Sequence, residues 1–221
     1  MTQAGLNDQF TALHAERERS WAPEQLARNV ATRAKLVERH DPAKHAKAGD
    51  RLEPFTLVDS EGHDLTSDTL LAKGPAVLFF FRYGGCPACN IALPYYNQTL
   101  WPRLKAAGIP LVGISPQTPV DRGPIERHGL DYTLASDAGY ALGRALGVTF
   151  LPDEQPAVKP GEAWIGATLG TDSYELAQPT VVVLDQDRTI RFIDISPDWL
   201  IRTEADAILA RLPEVLAAKA A

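Results

Sequence analysis

The chain has 221 residues, enough for one substantial core with extensions, and a formal net charge of -6. Its 45% hydrophobic and 23% charged residues are the balance of an ordinary globular protein. Mild acidity argues against nucleic acid or an anionic membrane as partner, because both reward a basic surface.

In chain order, residues 6 to 18 and 22 to 40 read as two helices. Leu26, Val30, Ala34 and Val37 fall three or four apart and form one apolar stripe on the second. Pro23 suits a first helical turn, and Asp41-Pro42 ends the pair. The two helices are expected to form a hairpin packed on the body, with a homodimer contact as the sharper alternative. Phe55 to Val58 reads as a strand, followed by a turn at Glu61-Gly62. Ala76 to Phe81 is an unbroken apolar run, as expected of a strand buried on both faces. A helix is predicted from Pro87 to Ala107 and a strand from Pro110 to Ile114. A short helix follows at Pro124 to His128, a short strand at Tyr132 to Ala135 and a helix at Ala138 to Leu146. The stretch Gly147 to Ala177 is too long for a plain connector and reads as functional or mobile. Thr180 to Leu184 and Thr189 to Ile193 form a hairpin, and Glu204 to Leu216 closes the chain as a helix, with Pro213 as a potential break. Strands alternating with helices and then an antiparallel hairpin imply an α/β fold with a mixed sheet between helices. The expected division is a helical extension over 1–45 and a main domain over 46–221.

The charged N-terminal segment lacks the apolar core of a signal peptide, and no long apolar run could span a bilayer, so the expected location is the cytoplasm. The chain contains two cysteines, Cys86 and Cys89, which excludes a disulfide scaffold. They lie in Gly84-Gly85-Cys86-Pro87-Ala88-Cys89, between a buried strand and a predicted helix start. Zinc would need two further ligands at close spacing, and the five histidines are scattered singly, so neither metal nor cofactor is expected. A helix N-terminus offers free N–H groups and positive potential, which stabilise a thiolate. With Cys86 at the cap, Cys89 lies one turn on, close enough to resolve a mixed disulfide or a sulfenic acid.

Gly49-Asp-Arg-Leu-Glu-Pro-Phe55, Phe79-Phe-Phe-Arg-Tyr-Gly-Gly-Cys-Pro-Ala-Cys89, Gly113-Ile-Ser-Pro-Gln-Thr118, Ala135-Ser-Asp137 and Val181-Val-Val-Leu-Asp185 together resemble the thioredoxin-like superfamily. Within it they are similar to the peroxiredoxin-like alkyl hydroperoxide reductase/thiol-specific antioxidant family. The resemblance runs from about residue 49 to the C-terminus. It implies a thioredoxin-like fold and reduction of hydroperoxides through a Cys86/Cys89 dithiol–disulfide cycle, renewed by thioredoxin or another thiol reductant. It also matches Pro94 to the kink proline of such helices and Pro179 to their cis-proline, so a cis Gln178–Pro179 bond is expected.

The sequence departs from both family motifs. Gly85 and Pro87-Ala88 replace the Trp and the Gly-Pro of thioredoxin-type sites. Peroxiredoxins carry Pro-x-x-x-Thr-x-x-Cys; aligned on Cys89, this chain has Arg82 for the proline and Cys86 for the threonine, and aligned on Cys86 it has Phe79 and Tyr83, so neither register restores the motif. Either cysteine could therefore be the attacking thiol. Arg82 is the nearest fixed cation and could lower a thiol pKa or hold a peroxide oxygen; it could equally point to solvent. Tyr83, Gln117 and Thr118 are candidate hydrogen-bonding neighbours. Protein disulfide exchange led by Cys86, or redox sensing without turnover, would use the same pair.

Overall fold

The computed structural model describes residues 4–159 and 162–212 of the 221. Two helices, α1 (Leu6–Ser20) and α2 (Pro23–Glu38), precede the sheet. The strands are β1 (Thr56–Asp59), β2 (Asp64–Thr66), β3 (Ala76–Phe80), β4 (Leu111–Ser115), β5 (Thr133–Ser136), β6 (Thr149–Phe150), β7 (Leu176–Ala177), β8 (Thr180–Leu184) and β9 (Ile190–Ile195). The remaining helices are α3 (Ser67–Leu70), α4 (Cys89–Thr99), α5 (Trp101–Ala106), α6 (Gly123–His128), α7 (Ala141–Leu146), α8 (Ile165–Leu169) and α9 (Ala205–Leu209).

The main sheet runs β2-β1-β5-β4-β3-β8-β9. β3, β4 and β5 are parallel, and β8 joins β3 antiparallel, so the expected mixed sheet is present. β3 sits near the centre and all of its residues are buried. Its alternation divides the core: Val77 and Phe79 face a cluster with α1 and α4, while Ala76, Leu78 and Phe80 face the opposite layer with Leu142 and Leu146 of α7. The first layer contains both cysteines.

Several expectations change. The predicted helix from Pro87 to Ala107 is two helices, broken at Leu100, because Pro102 has no N–H to continue the ladder. Pro94 lies inside α4. The helix expected from Ala138 begins only at Ala141. Gly139 and Tyr140 adopt positive φ, and the Asp137 carboxylate accepts the N–H groups of Leu142 and Gly143 at 3.0 and 2.8 Å, which fixes the start there. The stretch 147–177 holds β6, α8 and β7; the first and last pair with each other. β2 and α3, which sequence periodicity did not resolve, are short and pair with or follow β1. Of the closing helix, Ala205–Leu209 is observed, and the expected segment 213–216 lies outside the described residues.

Gln178–Pro179 is trans, contrary to expectation; the cis bond among the described residues is Thr118–Pro119. Pro179 instead leads into a strand. The Gln178 N–H donates to the Val148 carbonyl and the Pro179 carbonyl accepts from Ser196, both at 2.8 Å, so extended backbone is bonded on either side of the junction.

The apolar stripe of α2 faces the body only at Leu26. Val30 and Val37 are exposed, while Leu26, Asn29, Arg33, Leu36 and His40 turn inward, and the Arg33–Asp198 ion pair at 2.8 Å decides the rotation. α1 is the better anchored helix. Leu6, Phe10 and Arg17, at spacings that share one face, are buried. Phe10→Ala should cost about 3–5 kcal/mol through the cavity it leaves, measured as a lower urea midpoint.

Candidate active site

β3 delivers the chain into the turn Arg82–Ala88 at the edge of the buried layer. Gly84 leaves room there for the Asp121 carboxylate, which a Cβ would force aside. Asn90 braces the turn from the first turn of α4. Its side-chain amide donates to the carbonyls of Gly84 and Cys86 at 2.7 and 3.0 Å, and its Oδ1 accepts from Arg127 and contacts His128 Nε2 at 2.8 Å. Burial pushes the His128 pKa down, and the neighbouring Arg127 charge adds to that.

The sequence placed Cys86 at the helix cap. Regular helix starts at Cys89, after Pro87 and Ala88, although the Cys86 carbonyl does accept the Asn90 N–H at 3.0 Å. Both sulfurs are free and both residues are buried, Cys86 4% exposed and Cys89 0%. The two thiols are hydrogen-bonded to each other. Their environments separate their acidities. The Cys86 pKa is pushed well up, first by its hydrogen bond to Cys89 and then by burial. Burial also opposes ionisation of Cys89, but the bond from Cys86, the Arg202 guanidinium and the Arg82 main-chain N–H outweigh it and hold Cys89 well below the usual thiol range. The stabilised thiolate is therefore the second cysteine, and fixed donors, not a cap position at Cys86, stabilise it.

Arg202 is the residue that sequence reasoning missed. It is buried, its Nη2 lies 3.6 Å from Cys89 Sγ, and its Nε donates to the Trp199 carbonyl at 2.9 Å. Its guanidinium sits 5.1 Å from the centre of the Phe10 ring, so α1 covers the cation that faces the thiolate. Its main chain is fastened by Asn7, whose Oδ1 accepts the Arg202 N–H and whose Nδ2 donates to the Arg202 carbonyl. The only sequence signal was an arginine inside Trp199-Leu-Ile-Arg-Thr203, a weak one for a segment far from the cysteines.

Other predicted residues fall into different places. Arg82 contributes its main-chain N–H to Cys89, while its half-buried guanidinium stacks on Trp199 at 4.7 Å. Tyr83 packs against the same cluster, and its carbonyl accepts the Cys86 N–H. Gln117 joins the dithiol turn to the long loop, accepting from Gly84 and donating to the Thr168 carbonyl. Thr118 is tied to that loop through its N–H, which donates to Leu169 at 2.8 Å. Trp164 packs within the loop against Tyr174, whereas Trp199 is the tryptophan at the site. Pro179 lines a small void of about 10 Å³ with Tyr96 and Arg202.

Among the described residues no helix is long and apolar enough to cross a membrane, and no group of three or more His, Cys, Asp or Glu is arranged to hold a metal ion.

A family model described as the AhpC/TSA family matches residues 48–193. No curated protein matches the chain. Among solved structures, peroxidoxin BcpB from Mycobacterium tuberculosis is 26% identical with a TM-score of 0.57, covering 77% of this chain and 99% of its own. Peroxiredoxin 6 of Arenicola marina, at 19% identity, superposes with a TM-score of 0.60 over 79% of this chain and 75% of its own. Thiol peroxidase from Chromobacterium violaceum, at 20% identity, has a TM-score of 0.57 over 77% and 88%.

Proposed function

Because the chain belongs to the AhpC/TSA family, we propose that its thiol-dependent peroxidase chemistry is carried by Cys89 as the attacking thiolate and Cys86 as the resolving thiol. The observation that supports this assignment is the set of donors around Cys89: the Arg202 guanidinium at 3.6 Å and the Arg82 main-chain N–H.

The Cys89 thiolate attacks the terminal oxygen of a hydroperoxide. An S–O bond forms as the O–O bond breaks, the substrate leaves as an alcohol after taking a proton, and Cys89 becomes a sulfenic acid. The Cys86 sulfur, already in contact, then displaces that hydroxyl as water and closes a disulfide. Two electrons from an external dithiol, of thioredoxin type or similar, reopen it. Low pKa alone gives limited speed, since nucleophilicity falls with basicity at a slope of about 0.4–0.5. The rate therefore depends on Arg202 and the main-chain donors also stabilising charge on the oxygens as the O–O bond opens. A reducing cytoplasm would supply the electrons for this cycle.

The test is stopped-flow oxidation of the reduced protein. Hydroperoxide should be consumed far faster than by free cysteine, and mild oxidation should leave a monomer lacking its two thiol hydrogens, as read by non-reducing mass spectrometry. Reaction no faster than free cysteine, together with ready reduction of a protein disulfide, would instead assign the pair to disulfide exchange.

A further inference from the structure

Three guanidinium groups gather on the dithiol layer, from three separate parts of the chain. Arg202 faces the Cys89 sulfur, and that thiolate balances its charge. Arg17 and Arg82 have no such balance. Arg17 is 6% exposed, and its Nη1 is buried without a hydrogen-bond partner; the same holds for Arg82 Nε. The nearby carboxylates are engaged elsewhere. Glu204 accepts from the main chain of Leu6 and Asn7 and from the Tyr95 hydroxyl, and Asp198 is paired with Arg33. Buried charge is ordinarily paired.

The way the two side chains are held suggests what they are for. Each guanidinium carbon sits over a tryptophan ring, Arg17 over Trp21 and Arg82 over Trp199, both 4.7 Å from the ring centre. A cation held by a ring face does not use up its N–H donors, which keep their capacity to bond an anion. Arg17 lies on the same face of α1 as Phe10, the ring that covers Arg202. Charge interactions of Arg17 with both Cys86 and Arg82 agree with their lying close together.

We infer that Arg17 and Arg82 form an anion-recognising pair beside Cys86, which selects hydroperoxides that carry a carboxylate group. The inference rests on the peroxidase reading above. α1, anchored by Leu6, Phe10 and Asn7, holds Arg17 at the dithiol layer, so the N-terminal helix supplies a substrate-binding cation to a site otherwise built by the sheet.

Cumene hydroperoxide and its ring-carboxylated analogue differ by one charge and separate the two claims. Each second-order rate is divided by the rate of free cysteine with the same peroxide. Wild type should prefer the carboxylated peroxide by on the order of tenfold or more. Arg17→Met should collapse that preference toward one, Arg82→Met should reduce it, and Arg17→Lys should restore part of it. Benzoate should inhibit wild type competitively, which needs no variant to fold. Equal relative rates in wild type, or a preference that survives Arg17→Met, would overturn the inference while leaving the peroxidase reading intact. Rates no faster than free cysteine with both peroxides would overturn that reading as well.

Discussion

Cys89→Ser should lower hydroperoxide consumption to the background of the buffer, while Cys86→Ser should retain the first turnover and then stall as a sulfenic acid. The asymmetry follows from the surroundings of two sulfurs that are nearly equivalent in sequence. Cys89 receives the Arg82 N–H and the Arg202 guanidinium; Cys86 donates to Cys89 and is pushed toward the neutral thiol by that bond and by burial. A serine at 89 leaves the donors facing a hydroxyl that stays protonated near neutral pH. A serine at 86 can still donate to Cys89 but cannot close a disulfide. Trapping the sulfenic acid with a dimedone-type reagent and locating it by mass spectrometry reads the result. A label on Cys86 in the Cys89→Ser protein, with consumption preserved, would reverse the roles.

Arg202→Met should slow peroxide reduction near neutral pH by roughly tenfold to a hundredfold, the scale of one charge-assisted hydrogen bond. The sign of the pH effect is fixed by the pKa direction. Arg202 lowers the Cys89 pKa, so in wild type the thiolate persists as pH falls until that depressed value is reached. Without the cation the thiolate is lost sooner, and the acidic limb of the rate profile moves to higher pH. Thiolate absorbance against pH should show the same displacement. Because Arg202 also holds the Trp199 carbonyl and stacks on Phe10, Arg202→Lys is the control, retaining charge without the planar fork. An unchanged absorbance midpoint in Arg202→Met would show that the Cys86 thiol and the Arg82 main-chain N–H set the acidity without it.

The sheet was legible because its central strands are apolar on both faces: β3, β4 and β8 are entirely buried, and each reads as a short continuous apolar run. The dithiol was legible because it follows such a strand and precedes a helix. Strand β2 and the break at Gly139-Tyr140 were not, since a short pairing and a carboxylate cap are fixed by partners distant in space or by a single hydrogen-bonding group. The rotation of α2 likewise escaped its apolar stripe, because one ion pair to Asp198 and the inward Leu36 outweigh two exposed valines.

The site divides along the same physical line. Sequence by itself determined the fold class and the two sulfurs, because burial periodicity and the spacing of Cys86 and Cys89 are local properties of the chain. It could not rank the sulfurs. Their acidities depend on Arg202, 113 residues beyond Cys89, and on α1, which covers that arginine through Phe10. Electrostatic interaction depends on distance through space and on exclusion of water, and only the packing of α1, α4 and the segment after β9 around one buried layer brought those charges to the thiols.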